Sequence, residues 1–280
     1  MFIRSFTFAL SALLLAGCQS GGHDSYRSPK LTAAQEKDQA LQRDVYEKLI
    51  SRVLAREGDL ANTQGRDGSF NLMLTLDDKN RIIGCGTLPN KKVDARVYPY
   101  NRKLAEDLRS ICWTAVFPEL PSSLIDPETK TARVVAPVLV YPLVALSPDT
   151  RARREAALHD KAQNDFLFTQ LLAPLPIDSI GVATLMMMTD STGQVRECAA
   201  SLDPHSLRLS EFRQDDALLA GLVQRCKQLD MSTMPGFVAN TQGMTSAFHR
   251  VEYTPWKAGL KPAQSQSCST TGSRASTQGC

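Results

Sequence analysis

Short, β-rich apolar runs bounded by polar turn residues recur along this chain in a fixed order. Ser69 to Leu76 and Arg81 to Thr87 are separated by Asp77-Asp78-Lys79-Asn80, and Gly181 to Thr189 and Gln194 to Ser201 by Asp190-Ser191-Thr192-Gly193. Such runs predict strands, and the Asp, Asn, Ser and Gly residues between them predict two hairpins. Downstream of each hairpin the apolar positions change to a spacing of four: Leu104, Leu108 and Cys112, then Leu218, Leu222 and Cys226. That spacing puts each cysteine on the buried face of an amphipathic helix, predicted over Asn101 to Ala115 and Gln214 to Leu229. A third apolar run follows each helix, Arg133 to Leu146 and Thr245 to Trp256, where Tyr141 and Tyr253 align at nearly the same offset. Leading helices are predicted over Thr32 to Arg56 and Asp149 to Leu172, the second ending before Pro174 and Pro176.

The two sets are copies of one unit. Gly68 falls on Gly181 without a gap, at an offset of 113 residues that also carries Leu72 to Leu185, Met73 to Met186, Asp77 to Asp190 and Cys85 to Cys198. Each copy reads αββαβ. The fold class is therefore α+β, two tandem small domains over residues 31–146 and 147–258, each a three-stranded antiparallel sheet packed on helices.

Residues 1–17 have a different pattern. Arg4 precedes an apolar stretch from Phe6 to Leu15, and small residues lead to a cysteine, as in an export signal. A stretch of about ten apolar residues is half of what a membrane-spanning helix needs. The site Leu15-Ala16-Gly17-Cys18 resembles the lipobox of bacterial lipoproteins, which implies cleavage before Cys18, lipidation of its sulfur and tethering to a membrane by several acyl chains. Gln19 and Ser20 follow, with no aspartate to favour inner-membrane retention, so the expected address is the outer membrane, facing the periplasm. Residues 18–30 read as a flexible spacer and residues 259–280, rich in Ser, Thr, Gly and Gln, as a disordered tail.

With Cys18 set aside, six cysteines remain: Cys85, Cys112, Cys198, Cys226, Cys268 and Cys280. An even number in an oxidising compartment implies disulfides, and six cysteines allow fifteen pairings. The repeat favours Cys85 with Cys112 and Cys198 with Cys226, a bond from the second strand to the helix behind it in both copies. Cys268 and Cys280 are left to close a loop in the tail or to pair with another molecule.

Charge narrows the function classes. Lys and Arg number 32 against 29 Asp and Glu, so no basic excess argues for nucleic acid. No Cys-x-x-Cys pair occurs, and His23, His159, His205 and His249 are scattered, so neither a metal site nor a catalytic base is legible. Strand alternation sends Met187 to the face opposite Met186 and Met188, and the three are read as core packing instead of soft-metal ligands. There is no nucleophile elbow, glycine-rich phosphate loop or HExxH motif, and no cofactor is implied. Asp77-Asp78 and Asp215-Asp216 read as turn and helix-start carboxylates.

The run Asp190-Ser191-Thr192-Gly193-Gln194-Val195-Arg196-Glu197-Cys198, the helix end Leu222-Val223-Gln224-Arg225-Cys226, Cys85 and Cys112 in the first copy, and the exit Phe117-Pro118 together resemble the C-terminal domain family of TonB and TolA. The likeness covers most of Ser69 to Trp256. It departs from the energy transducers in having a lipid anchor and a short spacer where they have a membrane helix and a long Pro-rich spacer, so force transmission is not carried over. The resemblance implies binding of a partner segment by strand addition to a sheet edge. Pro137 and Pro142 blunt the third strand of the first copy, whereas Phe248, His249, Arg250, Val251, Glu252 and Tyr253 in the second are free of proline and form the candidate edge. The expected function is a lipid-anchored module binding a periplasmic or outer-membrane protein; the alternative is a cell-envelope enzyme, a hydrolase or peptidoglycan-acting, whose site is too dispersed to recognise.

Overall fold

The computed structural model describes residues 32–258 except 239, 241 and 242. Cys18, His23, Cys268 and Cys280, with the signal, the spacer and the tail, lie outside the described residues. Among the described residues no helix is long and apolar enough to cross a membrane.

The chain is α+β. In the first half, α1 (Ala33–Ala61) leads to β1 (Gly68–Asp77) and β2 (Ile82–Leu88), then α2 (Arg102–Arg109), α3 (Ile111–Thr114) and β3 (Thr131–Val140). The second half repeats the plan with α4 (Pro148–Leu167), β4 (Gly181–Thr189), β5 (Val195–Pro204), α5 (Asp216–Cys226) and β6 (Thr245–Tyr253), followed by the short α6 (Pro255–Ala258). Each half forms one antiparallel sheet with the first hairpin strand in the centre, in the orders β2-β1-β3 and β5-β4-β6.

The helix starts follow from side-chain chemistry. Thr32 caps α1 through a reciprocal box with Gln35, and Asp215 accepts the Leu218 amide at 2.8 Å to start α5. One predicted helix is interrupted: the Ser110 hydroxyl binds the Asp107 carbonyl at 2.9 Å, and α2 gives way to α3 there. Another changes pitch, since α4 stops at Leu167 and Phe168–Leu172 forms a π turn that buries Leu171 and Leu172. β3 ends at Val140, before Pro142, which therefore lies outside the strand, while Pro137 sits inside it opposite Asn71. An edge strand tolerates proline where a central one would not.

The internal repeat is kept to the residue in all three strands. Met73 stands between Gly86 and Val135, and Met186 between Ala199 and Phe248, at the same offset as Gly68 and Gly181. Both hairpins carry an irregularity at the same place, between Thr75 and Leu76 and between Met188 and Thr189. The pairing corrects one alignment. Val140 stands opposite Gly68 and Tyr253 opposite Gly181, so the counterpart of Tyr253 is Val140 and not Tyr141.

Each sheet has its own core. Phe70, Leu72, Leu74 and Leu76 face Tyr46, Ile50 and Leu54 of α1 and Leu104 and Leu108 of α2; Ala183, Leu185 and Met187 face Leu171, Leu218, Leu222 and Tyr253. The disulfides Cys85–Cys112 and Cys198–Cys226 close loops of 27 and 28 residues and tie β2 and β5 to the helices beneath them. In the chain-entropy model each loop contributes roughly 3.5 kcal/mol.

Polar side chains join the halves. Arg154 of α4 reaches the end of α1, donating to the carbonyls of Asp59 and Asn62 at 3.0 and 2.8 Å and pairing with the Asp59 carboxylate. Arg208, 2% exposed, donates to the Asn80 carbonyl at 3.2 Å and pairs with Glu211 at 3.0 Å, while the Glu119 amide donates to the Leu207 carbonyl.

Candidate functional site

A three-stranded sheet has two outer edges, and in the second half they differ. The start of β5 is occupied: the Val195 amide donates to the Leu229 carbonyl at 3.2 Å, the Met231 amide donates to the Gly193 carbonyl at 2.8 Å, and Gln194 bridges to Asp230. The opposite edge belongs to β6. Among the described residues, no backbone hydrogen bond links residues 245–253 to any segment besides β4. The corresponding edge in the first half is blunted by Pro137, and the Arg43 side chain of α1 covers the Arg133 carbonyl at 3.3 Å.

The six candidate edge residues divide by alternation along β6. Val251, 1% exposed, and Tyr253 point into the core, and Gly181 accommodates the Tyr253 ring because it has no Cβ. His249 is half-buried on that same side, where burial lowers its pKa against the opposing charge of Asp160 on α4. Phe248, Arg250 and Glu252 occupy the other face. Phe248 is 62% exposed there.

Beside Phe248 stands Met186 of β4, 60% exposed, with Met188 two residues further along. The assignment of the methionine run to the core is corrected accordingly: only Met187 is buried, and the other two lie on the open outer face of the sheet. The alternation was legible in the sequence; which face was covered was not, because that depends on where α4 and α5 pack. Met73 and Val135 mark the equivalent position on the first sheet.

Further along the same face, Glu252 is held by charge. Burial opposes its ionisation, but a hydrogen bond from His205 and the charges of Lys257, His205 and Arg56 outweigh it and bring its pKa down to about 2. His205 is buried on the loop after β5; its Nδ1 accepts the Leu207 amide at 3.2 Å, leaving Nε2 to meet Glu252 at 3.4 Å. This histidine is satisfied by structure. Among the described residues no three His, Cys, Asp or Glu side chains group as metal ligands.

Comparison with protein-family models, with curated proteins and with solved structures finds no match to this chain.

Proposed function

We propose that this protein is a lipid-anchored periplasmic binding module that holds a periplasmic or outer-membrane protein by taking an extended segment of it as a fourth strand beside β6. The observation that carries the reading is the combination at β6: an edge without a backbone partner among the described residues, with Phe248 and Met186 exposed on the face next to it. An incoming strand would gain main-chain hydrogen bonds from the edge, and its alternate side chains would lie against Phe248. Lipid on Cys18 holds the module at the membrane, and the resemblance to the TonB and TolA C-terminal domains belongs to this same proposal. In this reading the halves have different roles, the first structural and the second binding, because Pro137 blunts the first edge and the second has no proline.

The test is photocrosslinking from a probe residue at Ser246 in intact cells, followed by mass spectrometry of the captured protein. Amides alternate in direction along a strand, so Phe248→Pro and His249→Pro remove one outward amide and one that faces β4. The outward variant keeps the fold by circular dichroism and loses the capture. Capture retained in both folded variants overturns strand addition. Cys18→Ser releases the protein from the membrane fraction and abolishes palmitate labelling; unchanged fractionation overturns the anchor.

A further inference from the structure

The halves enclose a cleft of about 520 Å³ where α1 crosses the end of the second sheet's outer face. Its walls are of two kinds. Leu49 and Val53 of α1, Val182 of β4 and Leu207 of the following loop supply apolar surface, and Arg52, Arg56 and Arg250 bring three guanidinium groups.

The single carboxylate among the lining residues, Glu252, does not neutralise those arginines. Arg56 already pairs with Glu57 at 2.7 Å, and Glu252 is shared among Arg56, His205 and Lys257 at 3.4–3.7 Å. Among the described residues, Arg52 and Arg250 have no carboxylate within 4.0 Å and no side-chain hydrogen bond. The volume falls in the range of small-ligand pockets, and apolar walls with a few oriented polar groups are how such pockets are built. A guanidinium fork matches an oxyanion.

We propose that this cleft binds a small amphiphile with one oxyanion head, the head on Arg52 and Arg250 and the apolar body against Leu49, Val53, Val182 and Leu207. The site draws on both halves, α1 from the first and β4, β6 and the 205–207 loop from the second, and it adjoins the strand edge, sharing Arg250 and Glu252 of β6 with it. Glu252, held ionised beside Arg56 and Lys257, adds a negative charge that disfavours a dianionic head more than a singly charged one.

The test uses the full chain with Cys18→Ser, which keeps it free of detergent, and 8-anilinonaphthalene-1-sulfonate as a fluorescent probe. The probe binds one saturable site; octanoate displaces it at concentrations at least tenfold lower than octanol does. Arg52→Gln with Arg250→Gln weakens probe binding at least tenfold, Leu49→Trp fills the cleft and removes binding with both arginines in place, and Val144→Ser, an exposed side chain outside the lining, changes nothing. Equal competition by octanol, unaltered binding in the double arginine variant or in Leu49→Trp, or loss in Val144→Ser would each overturn the assignment.

Discussion

Arg154 closes the end of α1 at Asp59, binding both its carboxylate, at 2.9 Å, and its carbonyl. A helix leaves its last carbonyls without intrahelical partners and its C-terminal end partly negative. A guanidinium arriving from the other half satisfies both needs, and with 9% of its side chain exposed it does so largely out of water. Arg154→Met is expected to lower stability by about 2 kcal/mol, since two carbonyls lose a charged donor. Urea unfolding followed by tryptophan fluorescence checks this; a change under 0.5 kcal/mol would mean that the contact holds nothing together.

The hairpin turns offer a paired comparison. Asn80 and Gly193 occupy the same turn position at the repeat offset, both with positive φ, 58° and 89°. A Cβ at Gly193 would stand 2.6 Å from the Ser232 amide nitrogen. Gly193→Ala is expected to cost about 1–3 kcal/mol. Asn80→Gly keeps the backbone but removes the side-chain oxygen that accepts the Leu120 amide, and about 1 kcal/mol is expected from thermal unfolding.

Removing a disulfide acts through the unfolded chain. Replacing Cys198 and Cys226 together by Ala is expected to cost about 3 kcal/mol in denaturant unfolding, and the equivalent change at Cys85 and Cys112 a similar amount, because the closed loops are of nearly equal length. Peptide mapping without reductant should recover both pairs.

Glu252 supplies a pH dependence. A carboxylate whose folded pKa lies below its unfolded value of about 4.3 contributes stability above that value, and the contribution disappears as pH falls through the folded pKa, here about 2. With solvent screening allowed for, the contribution is about 1–2 kcal/mol at neutral pH. The stability difference between wild type and Glu252→Gln should hold from pH 7 to 5 and shrink between pH 4.5 and 2. A difference independent of pH across that interval would exclude ionisation of Glu252 as its source.

The exposed pair on the second sheet should be silent for folding. Phe248→Ser and Met186→Ser are each expected to change stability by less than about 0.5 kcal/mol, since neither side chain is buried. In the photocrosslinking assay both should reduce partner capture. Equal capture by both variants would leave the sheet face without a role in binding.

The sequence by itself determined the local order and its repetition. Turn residues such as Asp77 and Asp190, whose carboxylates bind backbone amides two and four residues on, act within a few positions, and so do the Thr32 and Asp215 caps. A repeat of 113 residues from Gly68 to Gly181 then implied one topology used twice and favoured the two cysteine pairings. What only the tertiary structure decided concerns packing at a distance. Which sheet face α4 and α5 leave open made Met186 and Met188 surface residues while Met187 became core. The segment around Asp230 pairing with the start of β5 left β6 as the open edge, and α1 crossing the second sheet created the cleft that Arg52 and Arg250 share. Periodicity specifies which residues share a face; it carries no record of what another element, a hundred residues away, places against that face.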